Sequence, residues 1–306
     1  MKYTKDFSII IPHRNSVRFL PKLFSSIPKS DKIEVILVDN SPEPITMSQV
    51  REAGVARDFT LLFSPPARGA GGARNEGIEH ASGKWLLFLD ADDFFAEGAF
   101  DAFYKHLESH AEMIYFCMGG IYEDTGERSN RGDYYTNLVM DYRNVKIDEM
   151  RLRLSYSSPC AKMVSHELVD RHNIRYDEVL ASNDTYFSML TGYYATKIDT
   201  DPTEVYIATV SRGTLTRRRD FAVILSRYQV ALRFNKFLKE HSLRDRQKSV
   251  MVYFYNARPY GIKKLLKMFG LAIKYRQNLF IGANRWSRSL LKKQVIDKKE
   301  EKYITK

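Results

Sequence analysis

The 306-residue sequence predicts an α/β protein, a mostly parallel sheet flanked by helices, followed by a basic helical extension. Three observations carry that expectation. Short apolar runs alternate with stretches of helical spacing through the first third of the chain, as in β-α-β units. The run Trp85-Leu86-Leu87-Phe88-Leu89 has the length and content of a buried strand, and it stops at Asp90-Ala91-Asp92-Asp93. Charge also changes sign along the chain. Residues 1–211 hold 23 Lys and Arg against 31 Asp and Glu, whereas residues 212–306 hold 25 against 6.

Taken in order, Phe7-Ser8-Ile9-Ile10-Ile11-Pro12 is a β-branched run stopped by proline, a first buried strand. From Asn15 to Ile27 the apolar residues Val17, Leu20, Leu23, Phe24 and Ile27 keep close to helical spacing. Ile33 to Val38 is a second strand, ending on the turn cluster Asp39-Asn40-Ser41-Pro42, and Leu61-Leu62-Phe63 is a very short third. Gly71 to His80 reads as a helix that Ser82-Gly83 breaks, and the strand over 85–89 follows. Beyond Asp93, Phe100 to Ser109 is helical, Met113 to Ile121 is a strand, and Asp124-Thr125-Gly126 suits a hairpin turn. The polar, Tyr-rich stretch from Arg128 to Arg143 has no clear period and reads as loops beside a site. Leu168 to Ile174 ends another helix. Asp184 to Gly192 is helical, with Ala181-Ser182-Asn183 available to cap it, and Glu204 to Val210 is a final strand. From Phe221 onward the pattern is helical throughout, and no internal repeat is present.

Composition bounds the function. With 44% hydrophobic and 28% charged residues the chain can bury a proper core as a soluble globular protein. Cys117 and Cys160 are far apart, lack metal-like spacing and read as reduced thiols of a cytosolic protein. No apolar run approaches the roughly 18–20 residues needed to span a bilayer. The N-terminus enters a strand without a signal-peptide apolar region. A cytoplasmic protein, soluble or peripheral, is expected.

Three carboxylates within four positions repel, and a fold gathers them only around a counter-charge. At the carboxyl end of a parallel strand they would line a ligand crevice. Oxygen-only ligands there suit a hard divalent cation, Mg²⁺ or Mn²⁺, which usually also holds substrate phosphates. An isolated Asp-x-Asp is as readily a solvated turn; the buried run before this one favours a site. Arg68-Gly69-Ala70-Gly71-Gly72-Ala73-Arg74 is glycine-dense and enters a helix. It begins G-x-G, but Arg74 stands where a dinucleotide fingerprint needs its third glycine, which argues against a dehydrogenase. A glycine-rich helix start favours anions, and Arg68 and Arg74 could answer phosphate, a carboxylate or the Asp cluster itself. Small residues packed against the sheet would explain the glycines without explaining the arginines. Asp39 should share the carboxyl edge with Asp90 and Asp92, where it can accept hydrogen bonds from a nucleobase or ribose. Asp184 alone would be a dipole-compensating acid at a helix start.

As an ordered set these residues resemble glycosyltransferase family 2. The set comprises Phe7–Pro12 with Asn15, Val38-Asp39, Ala73-Arg74-Asn75 with Gly77-Ile78, Ala81 with Gly83, and Phe88-Leu89-Asp90-Ala91-Asp92-Asp93. It continues through Ala161-Lys162, Asn173-Ile174-Arg175-Tyr176 and Asn183-Asp184-Thr185-Tyr186-Phe187, spanning about residues 7–216. The resemblance implies a GT-A fold and inversion at the sugar carbon. It implies a nucleotide-sugar site at Pro12, Asp39, Arg68, Arg74, Asp90, Ala91 and Arg212, a Mn²⁺ or Mg²⁺ ligand at Asp92, and a catalytic base at Asp184. Arg212-Gly213-Thr214-Leu215 resembles the segment that closes on the diphosphate. The chain departs from the family pattern at Asn40, Ala67 and Asn183, where a second acid, an Asn and a Glu are usual. The implied domains are a GT-A domain over 1–216 and a basic helical region over 217–306. The implied reaction moves a sugar from a nucleoside-diphosphate donor, UDP-linked by expectation, to a hydroxyl of a glycan or polyprenyl-linked saccharide. A catalytically idle sugar-nucleotide or glycan-binding scaffold is the competing reading. A nucleotidyltransferase would need an N-terminal Gly-rich signature that is absent.

In the basic region Phe221, Ile224, Leu225, Tyr228, Ala231, Leu232 and Leu238 form a helical stripe with cations between. Tyr260 to Tyr275 and Leu279 to Leu291 repeat the pattern, the latter carrying Trp286, and Lys298 to Lys306 is a charged end. Basic amphipathic helices with aromatics suit an anionic membrane surface, and with the resemblance this implies a peripheral protein on the inner face of the cytoplasmic membrane. Alternatively the stripes pack on the enzyme and the cations face water. No nucleic-acid motif accompanies the charge, so nucleic acid is not the expected partner.

Overall fold

In the computed structural model, which describes residues 3–211 and 220–281, the first strand β1 (Lys5–His13) is buried from Phe7 onward. Three further strands join it in parallel: β2 (Ile33–Asp39), β3 (Thr60–Phe63) and β4 (Gly83–Phe88). Between them run a 3-10 turn (Val17–Phe19) leading into α1 (Leu20–Ser25), then α2 (Met47–Glu52) and α3 (Gly69–His80). The expected helix over 15–27 is thus shorter, because Pro21 sits in the first turn of α1 and starts it there. Register pairs His13 with Asp39 across β1 and β2, and Ile10 with Phe88 across β1 and β4. Parallel strands in this register release Asp39 and Asp90 on one edge of the sheet. Leu86, Leu87 and Phe88 are almost fully enclosed. Side chains of that size each contribute about 1.5–3 kcal/mol when buried, so the strand anchors the acids that follow it.

The second half adds β5 (Phe94–Phe95), α4 (Ala99–Lys105), β6 (Met113–Tyr122), α5 (Asp133–Arg143) and α6 (Glu149–Ser155). Then come β7 (Lys162–Ser165), α7 (His166–Arg171), α8 (Asn183–Tyr194) and β8 (Ile198–Val210). All eight strands form one mixed sheet in the order β3-β2-β1-β4-β7-β6-β8-β5. β4 meets β7, β7 meets β6 and β8 meets β5 in antiparallel fashion, whereas β6 and β8 run parallel. The expected α/β architecture with flanking helices is present, with the parallel pairing concentrated in β3-β2-β1-β4.

Two expectations need correction. Arg128–Arg143 is not all loop: it contains α5, whose Leu138 and Val139 are buried while Tyr135 and Tyr142 pack on the core. Those four positions are spaced three, four and seven residues apart, one helix face that the tyrosines disguise as polar. The final strand begins at Ile198, six residues earlier than expected. Pro202 argues against a strand interior, but here the β6–β8 register slips between Asp201 and Glu204, so the proline occupies a bulge. The Asp124-Thr125-Gly126 turn is real, with the Gly126 N–H donating to Tyr122, yet beyond it only Ile121 and Arg128 bridge.

The chain divides into two compact units, Met1–Thr214 and Leu215–Lys306. Within the second, α9 (Phe221–Glu240), α10 (Met251–Ala257) and α11 (Ile262–Lys274) enclose a small core of Ile224, Tyr228, Leu232, Val250, Ala257 and Met268. Tyr228 donates to the Met268 carbonyl at 3.0 Å. The Asn235 carboxamide holds the Lys248 backbone through a donor and an acceptor, both at 2.8 Å. One apolar face of each of these helices is therefore buried in the unit's own core. The expected helix over Leu279–Leu291 extends beyond the described residues, as do Trp286 and Lys298–Lys306. Among the described residues no helix is long and apolar enough to cross a membrane.

Candidate active site

The acids after β4 do not behave alike. The Asp93 N–H donates to the Asp90 carbonyl at 3.0 Å, folding Asp90–Asp93 into a tight turn that drives the Asp93 side chain inward. There Asp93 accepts from the Tyr206 hydroxyl at 2.5 Å and from the Thr209 N–H at 2.7 Å, while the Asp90 N–H donates to Tyr206 at 3.3 Å. Burial, with Asp92 and Asp90 adding to it, pushes the Asp93 carboxyl well above the usual range. Asp93 is thus the tether of the turn to β8. Asp90 and Asp92 remain partly exposed, and Ala91 between them is buried. Burial and the neighbouring Asp90 push Asp92 up to about 6, with Arg131 pulling the other way.

Arg74, on α3, is the counter-charge. Its side chain is only 6% exposed and contacts Asp90 Oδ1 at 2.5 Å. Its other terminal nitrogen donates to Asn183 Oδ1 at 2.8 Å. Burial favours the neutral guanidine, but Asp90 and further acids outweigh it and hold Arg74 above the ordinary arginine value. The guanidinium also lies over the Tyr176 ring at 5.3 Å, and that ring stacks on Phe187 at 3.9 Å. Asn75 brackets the backbone of Tyr176, donating to its carbonyl at 3.0 Å and accepting from its N–H at 2.8 Å. One helix turn thereby connects the end of β4 to the start of α8.

The glycines of this segment answer packing. A Cβ on Gly77 would lie 2.4 Å from Ile10 of β1, and one on Gly71 only 2.0 Å from the Asp177 carbonyl oxygen. Arg68 turns to Glu178, with contacts of 2.7 and 3.0 Å, and to Glu76 at 3.4 Å. Of the two arginines, Arg74 joins the acidic edge and Arg68 pairs with Glu178 and Glu76.

Asp184 lies in the first turn of α8, partly exposed. Ser182 holds the cap position with φ +63° and makes no side-chain cap bond, so 181–183 do not cap the helix by side chain. Burial raises the Asp184 carboxyl, while Arg74 and Lys162 lower it and Asp90 raises it. Lys162 is buried, donates to the Tyr156 carbonyl at 2.9 Å, and is pushed down to about 7 by burial. Lys162 belongs to the residue set that carries the resemblance but has no role there, and Tyr206 did not stand out in the sequence; Lys162 is the buried first residue of β7.

Asp39 is buried at the end of β2. Its Oδ1 meets His13 Nδ1 at 2.8 Å and accepts from the Ser41 hydroxyl at 2.6 Å, while Oδ2 accepts from the Ile45 N–H at 2.9 Å. Burial would raise this carboxyl, but these bonds outweigh it and hold Asp39 below its ordinary value. One acceptor position on Oδ2 remains. Beside it, Asn40 is buried and its Nδ2 has no hydrogen-bond partner among the described residues. Pro12 is buried in β1, opposite Val38. Arg212 lies outside the described residues.

A cavity of about 260 Å³ opens beside Asp92 and Asp93, lined also by Arg18, Lys22 and Glu123. A larger one, about 590 Å³, lies at the amino ends of β2 and β3 and touches none of the edge acids. Among the described residues no group of three His, Cys, Asp or Glu could hold a metal by itself. Mg²⁺ and Mn²⁺ commonly take one or two carboxylates and complete their shell with substrate phosphates. Asp92, with Asp90 alongside and no ion pair within 4 Å among the described residues, fits a cation bound in that way.

The family model for glycosyl transferase family 2 matches residues 8–172. Minor teichoic acid biosynthesis protein GgaB of Bacillus subtilis is 26% identical over 188 residues, covering 58% of this chain and 20% of GgaB. The poly(ribitol-phosphate) beta-N-acetylglucosaminyltransferase TarS of Staphylococcus aureus is 25% identical over 215 residues, 67% of this chain and 36% of TarS. The chain therefore spans about a fifth to a third of these relatives. The crystal structure of S. aureus TarS 1–349 in complex with UDP-GlcNAc has the same fold. Its TM-score is 0.59 at 22% identity, over 75% of this chain and 65% of that one.

Proposed function

The chain belongs to glycosyl transferase family 2, and from that membership we propose that it is an inverting transferase acting on a nucleoside-diphosphate sugar. The acceptor in this reading is a hydroxyl of a glycan or a polyprenyl-linked saccharide, in cell-surface polysaccharide synthesis at the inner membrane face. Teichoic acid synthesis by GgaB and the UDP-GlcNAc bound to TarS support that class, with UDP as the nucleotide.

The observation that carries the reading is Arg74, which contacts both Asp90 and the Asn183 that precedes Asp184. A donor and its acceptor must meet within a few ångströms, and this one guanidinium holds both halves of such a site together. The base would lie toward Asp39 and Asn40, using the remaining Oδ2 acceptor and the unpartnered Nδ2 donor. Asp92, with Asp90, would hold Mn²⁺ or Mg²⁺, which when bound supplies Lewis-acid neutralisation of the diphosphate. Asp184 accepts the proton of the attacking hydroxyl, and its raised carboxyl makes it a stronger base than an exposed aspartate. Displacement in line inverts the anomeric carbon and needs no second nucleophilic carboxylate. The domains in this reading are 1–216 for transfer and 217–306 for attachment.

Hydrolysis of a panel of sugar nucleotides with Mn²⁺ or Mg²⁺ tests the proposal. Turnover of at least one, lost in Asp184→Asn, is expected. Tight nucleotide binding with no turnover on any donor, with or without saccharide acceptors, would leave a binding scaffold instead.

A further inference from the structure

We infer that α11 is a docking surface for anionic lipid, lying in the plane of a membrane on one particular face. The helix has two apolar faces. One, through Met268 and Ala272, is buried, with Met268 in the small core of the second unit. The other consists of Ile262, Leu266, Phe269 and Ile273, which are 67%, 61%, 48% and 64% exposed. Spacings of four, three and four residues align these side chains along one side of the helix. A solvated helix has no reason to keep such a row, and exposed apolar patches of this kind mark interaction surfaces.

Charge selects the occupant. Lys263, Lys267 and Lys274 follow at matching spacing along the adjoining edge, all exposed, while Lys264 is drawn over the Phe221 ring at 4.8 Å. The sequence holds no Asp or Glu between Asp245 and Asp297. Where α9 and α11 end, Lys236, Lys239, Arg244, Lys274 and Arg276 line a cavity of about 590 Å³ with Glu240 as the one acid. An apolar row bordered by lysines, beside a cavity rich in cations, complements acyl chains bordered by phosphates. A helix of 13 residues is too short to cross the bilayer, so it lies on it. The transferase reading adds only a reason for the protein to be at a membrane; the surface itself follows from α11.

The test is co-sedimentation of the full chain with phosphatidylcholine vesicles, with and without phosphatidylglycerol, at low and high salt. Wild type should pellet with the anionic vesicles at low salt and be released by high salt. Leu266→Asp with Phe269→Asp, both on the exposed row, should lower partitioning about tenfold or more, with an unchanged circular-dichroism spectrum. Lys263→Glu with Lys267→Glu should weaken binding at low salt only. Wild type remaining in the supernatant, or Asp variants that bind as wild type does, would overturn the inference. So would loss of self-association in the Asp variants, seen by light scattering, without loss of vesicle binding. Sugar-nucleotide hydrolysis in the same preparations separates the two readings. Vesicle binding without hydrolysis would remove the transferase and leave the docking surface.

Discussion

Arg74 and Asp90 form an asymmetric ion pair, the guanidinium enclosed and the carboxylate 39% open to solvent at 2.5 Å. Enclosing the arginine strengthens its hold on the acid and on Asn183, while the open side of Asp90 stays free for a ligand. Arg74→Leu should remove both contacts and destabilise the fold by roughly 1–3 kcal/mol. Arg74→Lys, which keeps charge but cannot fork, should recover part of the stability. Urea denaturation of the two variants measures this. A lysine variant as stable as wild type would mean that the fork to Asn183 contributes nothing.

Asp92 predicts a pH signature. Its carboxyl is raised to about 6 in the fold, so the protonated form is the one favoured there. The resulting stabilisation is full below the ordinary carboxylate pKa and is lost as pH rises through about 6. Without divalent cation, Asp92→Asn should therefore melt above wild type at pH 7 and alike at low pH. Asp93, raised in the same direction, keeps part of the slope in both proteins. Adding Mn²⁺ with UDP should raise the melting temperature of wild type and leave Asp92→Asn unmoved. A variant that responds to Mn²⁺ as wild type does would place the cation elsewhere.

For Asp184→Asn the expected result is near-normal donor binding by calorimetry with transfer reduced about 10²–10⁴-fold, the usual scale for a general base. In wild type the rate should rise with pH as this raised carboxyl ionises. Transfer at the wild-type rate would return Asp184 to a helix-start acid.

Gly71→Ala should cost about 1–3 kcal/mol, because the new Cβ would meet the Asp177 backbone oxygen at 2.0 Å and backbone cannot swing away. Gly270→Ala, where a Cβ meets nothing within 4 Å, should be neutral or slightly stabilising. Thermal melts of the pair compare a close approach with an unconstrained helical glycine.

What could be read from the sequence was whatever is local. β1, β2 and β4 are continuous apolar runs, and the acids at their ends are explicit. β7 was hidden because its four residues begin with the buried Lys162, and the first half of β8 because Asp199, Asp201 and Pro202 look unlike a strand. Tyrosine concealed α5. The partners that give the site residues their character are remote: Asn183 from Arg74, Glu178 from Arg68, Tyr206 from Asp93. Spacing along a chain reports which residues share an element, and it carries no information on pairs a hundred positions apart. Hence the fold and the acids were legible, while the division of labour between Asp92 and Asp93, or Arg68 and Arg74, needed coordinates.

The tether from Asp93 to β8 makes one backbone amide a gauge of the whole acidic edge. The Thr209 N–H donates to the Asp93 side chain at 2.7 Å. Its solvent hydrogen exchange is therefore governed by the mobility of the Asp90–Asp93 turn. Any ligand that freezes the turn would slow deuterium uptake at Thr209, far along the chain from the residues it touches. A single resolved peptide covering Thr209 would then record occupancy of the site without substrate turnover, radiolabel or knowledge of the acceptor.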